Sequence, residues 1–195
     1  CYTAGSAVKW LKNSLGLISS ASETQALAES VTDSGGVFFV PAMNGLATPY
    51  WDQSARGAFM GITGGTSKAH IVRSVLESSA FQVANCSRII ENVSGIGING
   101  INAMGGMTSN SFLMQLQADL CGFPVKLPVQ TEPCYGAACM ALSGIGSALT
   151  ADSLKGLNPP EHVYYPKMSE KERKTRIDEW LRAVERTLFR GKKEV

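Results

Sequence analysis

The sequence predicts an α/β domain with a mainly parallel sheet covered by helices, on three observations. Short apolar runs with strand character alternate in order with segments of helical period. Glycine pairs and prolines punctuate the junctions between them. Apolar residues make up 44% and charged residues 17%, which is enough for one well-buried core and too cramped at 195 residues for two full domains.

Taken in order, "GSAVKWLKNSL" places Val8, Leu11 and Leu15 on one helical face from Gly5 to Leu15, closed by Gly16. A shorter helix is expected from Ser20, with Ser20 and Glu23 as a capping box. Gly35 and Gly36 break the chain before the strand "VFFVP", and "ARGAFMGI" reads as the next strand. The long loop between these two carries Pro49, Tyr50 and Trp51, so it should pack on a neighbour or edge a cleft. After "TGGTS" the longest periodic segment runs from Lys68 to about Val93, with Ile71, Val72, Val75, Leu76, Ala80, Val83, Ile89 and Ile90 facing inward. "GINAM" is a strand, "SNSFLMQLQADLCG" a helix burying Phe112, Leu113, Leu116 and Leu120, and "PVKLP" a strand. "YGAACMALSGIGSAL" reads as a helix whose small residues permit close approach to a neighbour. Past Thr150 the texture changes. Ser169 and Glu172 can cap a helix with the stripe Ile177, Trp180, Leu181, Val184 and Leu188, followed by a frayed basic tail. Residues 1–150 are therefore read as the domain and 151–195 as a C-terminal helical extension docked on it.

A net charge of +2, with the basic residues gathered in the C-terminal helix, argues against a nucleic-acid partner. No run approaches the ~20 apolar residues a membrane-spanning helix needs, so no membrane partner is expected. Five cysteines without CxxC spacing read as free thiols in a reducing, cytoplasmic compartment. The two histidines, His70 and His162, lack the context of a metal site. The start at Cys1 suggests a processed product or a piece of something larger.

The chemistry-bearing residues leave two readings each. In "INAMGGMTSN" the pair Gly105 and Gly106 joins a strand to a helix, where backbone N–H groups and the positive end of a helix dipole converge. Without a Cβ in the way a flat or charged ligand such as a nucleotide can approach; the alternative is a plain tight turn with Asn110 as a surface residue. "TGGT" at 63–66 binds an anion or supplies a turn and N-cap. Asp52 is an acid or base, or pairs with Arg56. Glu77 on the buried face of the long helix needs a partner and is read as a hydrogen-bond anchor or as a functional carboxylate. No Ser-His-Asp set and no paired carboxylates are visible, so no catalytic residue is assigned.

"GAFMGITGGTSKAHIVRSVLE", Gly57 to Glu77, resembles the second signature of the FGGY carbohydrate kinases. "FVPAMNGLATPYWDQSARG", "GGMTSNSFLMQLQADLCGFPV" and "AGSAVKWL" resemble further segments of the family, most of all of its glycerol-phosphorylating members. The likeness runs from about Ala4 to Leu149 and more weakly to the end. It implies an actin-like ATPase (ribonuclease H-like) fold, here the family's C-terminal domain without its first strands. It further implies that Gly106 and Asn110 lie against the adenine and ribose of ATP, that Gly105 shapes the turn, and that Gly5 approaches from the facing helix. Lys9 stands where these kinases commonly carry Gln, and meets a phosphate or solvent; Met104 stands where they often carry Asp.

The resemblance implies ATP and Mg²⁺ as cofactors, with the Mg²⁺ ligands outside this chain, and glycerol or a related polyol as the substrate of the complete protein. The polyol contacts and an Asp-Gln base belong to sequence that does not precede Cys1. The chain is accordingly expected to be an incomplete kinase, inactive alone. The other expectations are a non-catalytic nucleotide-binding or interaction module derived from the same fold, and a scaffold piece whose open sheet edge and loop aromatics suit association, a homo-oligomer included.

Overall fold

The computed structural model describes residues 4–129, 133–144 and 158–188. In chain order the elements are α1 (Ala4–Asn13), α2 (Glu23–Glu29), β1 (Phe38–Val40), β2 (Ala58–Met60), α3 (Lys68–Ser94), β3 (Ile101–Asn102), a 3₁₀ turn (Gly106–Ser109), α4 (Ser111–Cys121), β4 (Val125–Pro128), α5 (Pro133–Gly144), β5 (Pro160–Tyr164) and α6 (Glu170–Thr187). The helix expected beyond Gly144, the basic tail from 189 and Cys1 lie outside the described residues.

Helix α3 organises the rest. Every residue from Val72 to Phe81 is buried, so this stretch is surrounded on all sides, as a helix is when it runs through a core. Its serines meet their hydrogen-bonding needs within the helix: Ser74 Oγ donates to the Ile71 carbonyl at 2.8 Å and Ser78 Oγ to that of Val75 at 2.7 Å. Ser67 caps the start, exchanging bonds with His70, and Gly95 ends the helix at φ 68°, its N–H donating to the Glu91 carbonyl. One cluster gathers Val8, Leu11, Ala28 and Phe39 against Val72, Val75 and Leu76. A second gathers Leu113, Leu116, Leu120, Val125, Ile177, Trp180 and Val184 against Ala80, Phe81 and Ala84.

The expected mainly parallel sheet is corrected. Among the described residues β1 and β2 pair antiparallel, Phe38 opposite Met60, while β3, β4 and β5 form a separate sheet in that order. Only the β3–β4 pairing is parallel; β4 and β5 run antiparallel. The reason lies in the connections: β1 returns to β2 through a loop without a crossover helix, which a parallel pairing requires. Strand β5 is hidden in the sequence by prolines at its start, which an edge strand tolerates.

Local departures have local causes. Helix α1 stops at Asn13, so Leu15 leaves helical phase and is 43% exposed instead of inward. Helix α2 begins at Glu23 rather than Ser20. Glu23 Oε1 does accept the N–H groups of Ser19 and Ser20, both at 3.1 Å, but the Ser20 hydroxyl is taken by that of Ser22. Ile90, expected inward, is 56% exposed because the last turns of α3 extend beyond the elements packed on its middle. Among the described residues the Ala- and Gly-rich α5 leaves Met140 77% exposed and Leu142 half-exposed.

Helix α6 is fixed by Trp180. Its ring stacks on Phe81 with centroids 5.6 Å apart, and its indole N–H donates to the Phe39 carbonyl at 3.4 Å, so one side chain joins α6 to both α3 and β1. Trp180→Ala should lower unfolding free energy by about 3–5 kcal/mol, read as a fall in the urea midpoint. A loss below ~1 kcal/mol would mean that α6 is not part of the core.

Cys86, Cys121, Cys134 and Cys139 are free thiols. Burial pushes the Cys121 thiol up to about 11, against the smaller opposing effect of its hydrogen bond from Gln117, so it stays protonated and unreactive through neutral pH. At pH 8, iodoacetamide should therefore modify exposed Cys134 well before Cys121 in peptide mass mapping; equal rates would contradict the burial of the α4 end.

Candidate functional site

The glycine pair sits where the sequence suggests, between β3 and α4. Gly105 has φ 97° and ψ 174°, a conformation that residues with a Cβ avoid, and it turns the chain into the 3₁₀ segment. The turn is closed by its own polar groups. Thr108 N–H and Thr108 Oγ1 both donate to the Gly105 carbonyl, at 3.0 and 2.7 Å, and Ser109 Oγ donates to that of Gly106 at 3.0 Å. A Cβ at either glycine would meet no protein atom within 4 Å, so open space lies over both.

Asn110 has a double task. Its Oδ1 accepts from Leu113 N–H at 2.9 Å, capping α4, and its Nδ2 donates to Thr24 Oγ1 at 3.3 Å, tying α4 to α2. Gln25 strengthens that tie, donating to Ser111 Oγ at 2.8 Å and accepting from Ser111 N–H at 3.1 Å. The 3₁₀ turn, the start of α4 and the start of α2 thus form one hydrogen-bonded unit.

Between this unit and α1 lies a cavity of about 270 Å³ lined by Val8, Ala21, Ser22, Thr24, Gln25, Gly106, Met107, Ser109 and Asn110. The lining is apolar through Val8, Ala21 and Met107, and neutral but hydrogen-bonding elsewhere. It carries no charged side chain. Such a site suits a flat, uncharged heterocycle with donors and acceptors on its edge, and its size is just under the ~300–1,000 Å³ of whole-ligand pockets. Gly106 and Asn110 line it directly, while Gly105 sets the turn. Gly5, Val8 and Lys9 share a face of α1 by helical spacing, with Val8 the residue that reaches the lining. Gly5 faces open space and Lys9 is exposed.

The α2 wall, Ala21 to Gln25, was not legible as part of a site. Its Ser, Thr and Gln read as capping residues of a short helix, and only the long-range bonds to Asn110 and Ser111 reveal the second role.

The other candidates take structural roles. Glu77 is 1% exposed and its Oε1 accepts from Arg73 Nε at 2.9 Å and Arg176 Nη2 at 3.0 Å. Asp52 Oδ1 accepts from the N–H groups of Ser54 and Ala55, shaping its loop. That loop borders a smaller cavity of about 150 Å³, with Leu46, Ala47, Thr48 and Tyr50 on one side and Asn85, Cys86 and Trp180 on the other. "TGGT" folds on itself, Thr63 N–H donating to Thr66 Oγ1 at 2.9 Å, and leads into the Ser67 cap. Among the described residues no helix is long and apolar enough to cross a membrane, and no group of three or more His, Cys, Asp or Glu side chains could hold a metal ion.

Comparison with known proteins matches residues 1–145 to the C-terminal domain of the FGGY family of carbohydrate kinases. Relatives include glycerol kinase 2 of Thermotoga maritima, 43% identical over 96% of this chain, and the glycerol kinase of Dechloromonas aromatica, 44% identical over 96%. The chain spans 38% of the length of each. Among solved structures, the glycerol kinase of Plasmodium falciparum with ADP superposes with a TM-score of 0.85 at 37% identity, covering 97% of this chain and 38% of that one. The ligand-bound xylulose kinase of Lactobacillus acidophilus shares the fold, with a TM-score of 0.77 at 24% identity over 93% of this chain and 37% of that one. The chain belongs to the FGGY family of carbohydrate kinases, whose C-terminal, actin-like ATPase domain it represents.

Proposed function

We propose that this chain is the adenosine-binding part of an ATP-dependent glycerol kinase, which converts ATP and glycerol to ADP and glycerol 3-phosphate. The observation that carries the reading is the uncharged cavity over Gly106, walled by hydrogen-bonding side chains and open where a Cβ would stand. An adenine base fits that chemistry, with the sugar toward Asn110 and the phosphates leaving past the exposed α1 face of Gly5 and Lys9. The glycerol kinase relatives, one of them solved with ADP, support the choice of nucleotide and of glycerol.

Phosphoryl transfer requires in-line placement of the hydroxyl, a base to take its proton, and a cation to offset phosphate charge. Lys9 is an exposed cation on α1, one residue from Val8 in the cavity lining. Mg²⁺ is the family's usual partner of ATP, but the residues lining this cavity include no carboxylate and do not fit as its ligands. The chain holds the adenosine end and leaves polyol binding and proton removal to a preceding domain.

Two outcomes follow. Because a Cβ at Gly106 meets no protein atom, Gly106→Val should leave the urea midpoint within error yet weaken ADP binding at least about tenfold by isothermal titration, roughly 1.4 kcal/mol. Unchanged affinity would place the nucleotide elsewhere. Asn110→Ala is the less specific variant, since it also removes the α4 cap, worth about 1 kcal/mol. Incubated with ATP and glycerol, the chain should form no glycerol 3-phosphate above a no-enzyme control; joined to an N-terminal domain of a glycerol kinase, it should turn over. Binding without turnover in the joined protein would favour a non-catalytic nucleotide module.

A further inference from the structure

A line of charge runs from the C-terminal helix to the back of the nucleotide cavity's α2 wall. Arg176 on α6 donates from Nη2 to Glu77 Oε1 at 3.0 Å, and Arg73 donates from Nε to the same oxygen at 2.9 Å. Through Nη1, Arg73 donates to two carbonyls at the far end of α2, Ala28 at 2.9 Å and Val31 at 2.5 Å. The Ala28 carbonyl is among the groups that a helix C-terminus leaves without intrahelical partners, Val31 follows just beyond the Ser30 cap, and a guanidinium there also meets the negative end of the helix dipole. Arg73 is thus the C-terminal cap of α2.

Helix α2 needs that cap. It has seven residues, about 10 Å of helix, and an isolated helix so short does not hold itself together in water. Its first turn has no side-chain N-cap bond of the usual kind and is held by the bonds from Asn110 and Ser111. The segment that supplies Ser22, Thr24 and Gln25 to the cavity is therefore clamped at two ends, by α4 in front and Arg73 behind. The position of Arg73 is itself set by Glu77. That carboxylate is 1% exposed, and its Oε2 has no hydrogen-bond partner among the described residues, so both guanidiniums converge on its one other oxygen. Each guanidinium also faces an aromatic ring, Arg73 Cζ lying 4.9 Å from the Phe112 centroid and Arg176 Cζ 5.7 Å from that of Phe81.

We propose that Arg176, Glu77 and Arg73 act as a positioning relay, through which the C-terminal helix sets the geometry of the α2 wall and hence the affinity for the adenosine end of the nucleotide. None of the three touches the proposed ligand. The relay deepens the nucleotide-binding reading above and rests on it.

Arg176 is the residue to change, because it lies at the rim of the core, with its side chain 21% exposed, and Arg176→Met keeps an unbranched side chain there while removing the charge. The control is Trp180→Phe, on the same helix, which drops the bond to the Phe39 carbonyl but leaves the relay intact. Two readouts are taken on the full chain: amide hydrogen exchange of residues 22–31, and the Kd for ADP. Arg176→Met should speed exchange in that segment and weaken ADP binding by about fivefold or more, an effect of the size of ordinary coupling between sites. Arg176→Lys should restore part of both, and Trp180→Phe should alter neither beyond its effect on global stability. Unchanged exchange in residues 22–31, or faster exchange with an unchanged Kd, would overturn the relay. Failure of the unmodified chain to bind ADP would overturn the nucleotide reading instead, with exchange alone then judging the mechanical link from Arg176 to α2.

Discussion

The burial of α3 on all sides is the constraint from which the rest follows. A helix with ten consecutive buried residues must have partners all round, and here α1, α2, β1, α4 and α6 are those partners. Each is thereby placed relative to the others through one shared element. The cavity is a consequence of that arrangement: α1 and α2 come to one side of α3 and α4 to another, and the turn of Gly105 and Gly106 closes the gap at their ends.

Burial on all sides also forces charge into the core. With no face of α3 free for solvent, Arg73 and Glu77 had to be satisfied inside, and an unpaired buried charge would be strongly unfavourable. The solution uses one carboxylate oxygen for two guanidiniums and Nη1 of Arg73 for the end of α2. A requirement of the core is thus met by the same bonds that hold a wall of the site.

Much of this was legible in the sequence, and the parts that were not have physical reasons. The α4 stripe and the α6 stripe were readable because burial of one face repeats at helical spacing; α3 was readable by its length of helical phase, but not its burial on all sides, since Arg73, Ser74, Ser78 and Ser79 are buried too. The Gly105–Gly106 bend was readable because two residues without a Cβ between a strand and a helix have few uses. Gly106 and Asn110 do line a cavity, but the two tasks of Asn110 depend on Thr24, 86 residues earlier, and no local pattern encodes such a bond. Strand pairing was misread for the same reason, since direction is decided by connections and edges rather than by the strands themselves. Glu77 was flagged as needing a partner, and one of its partners, Arg176, sits about a hundred residues away, on a helix read as docked through its apolar stripe rather than through its charges.

The central claim is that the open space over the glycine bend receives the base of an adenine nucleotide. Titration of isotopically labelled chain with ADP, followed by amide chemical shifts, tests it most directly. The account predicts that the largest changes fall on residues 105–110 and on 21–25, with α5 and the β4–β5 pairing unmoved. Changes centred on the Tyr50 loop, or none at millimolar ADP, would contradict it.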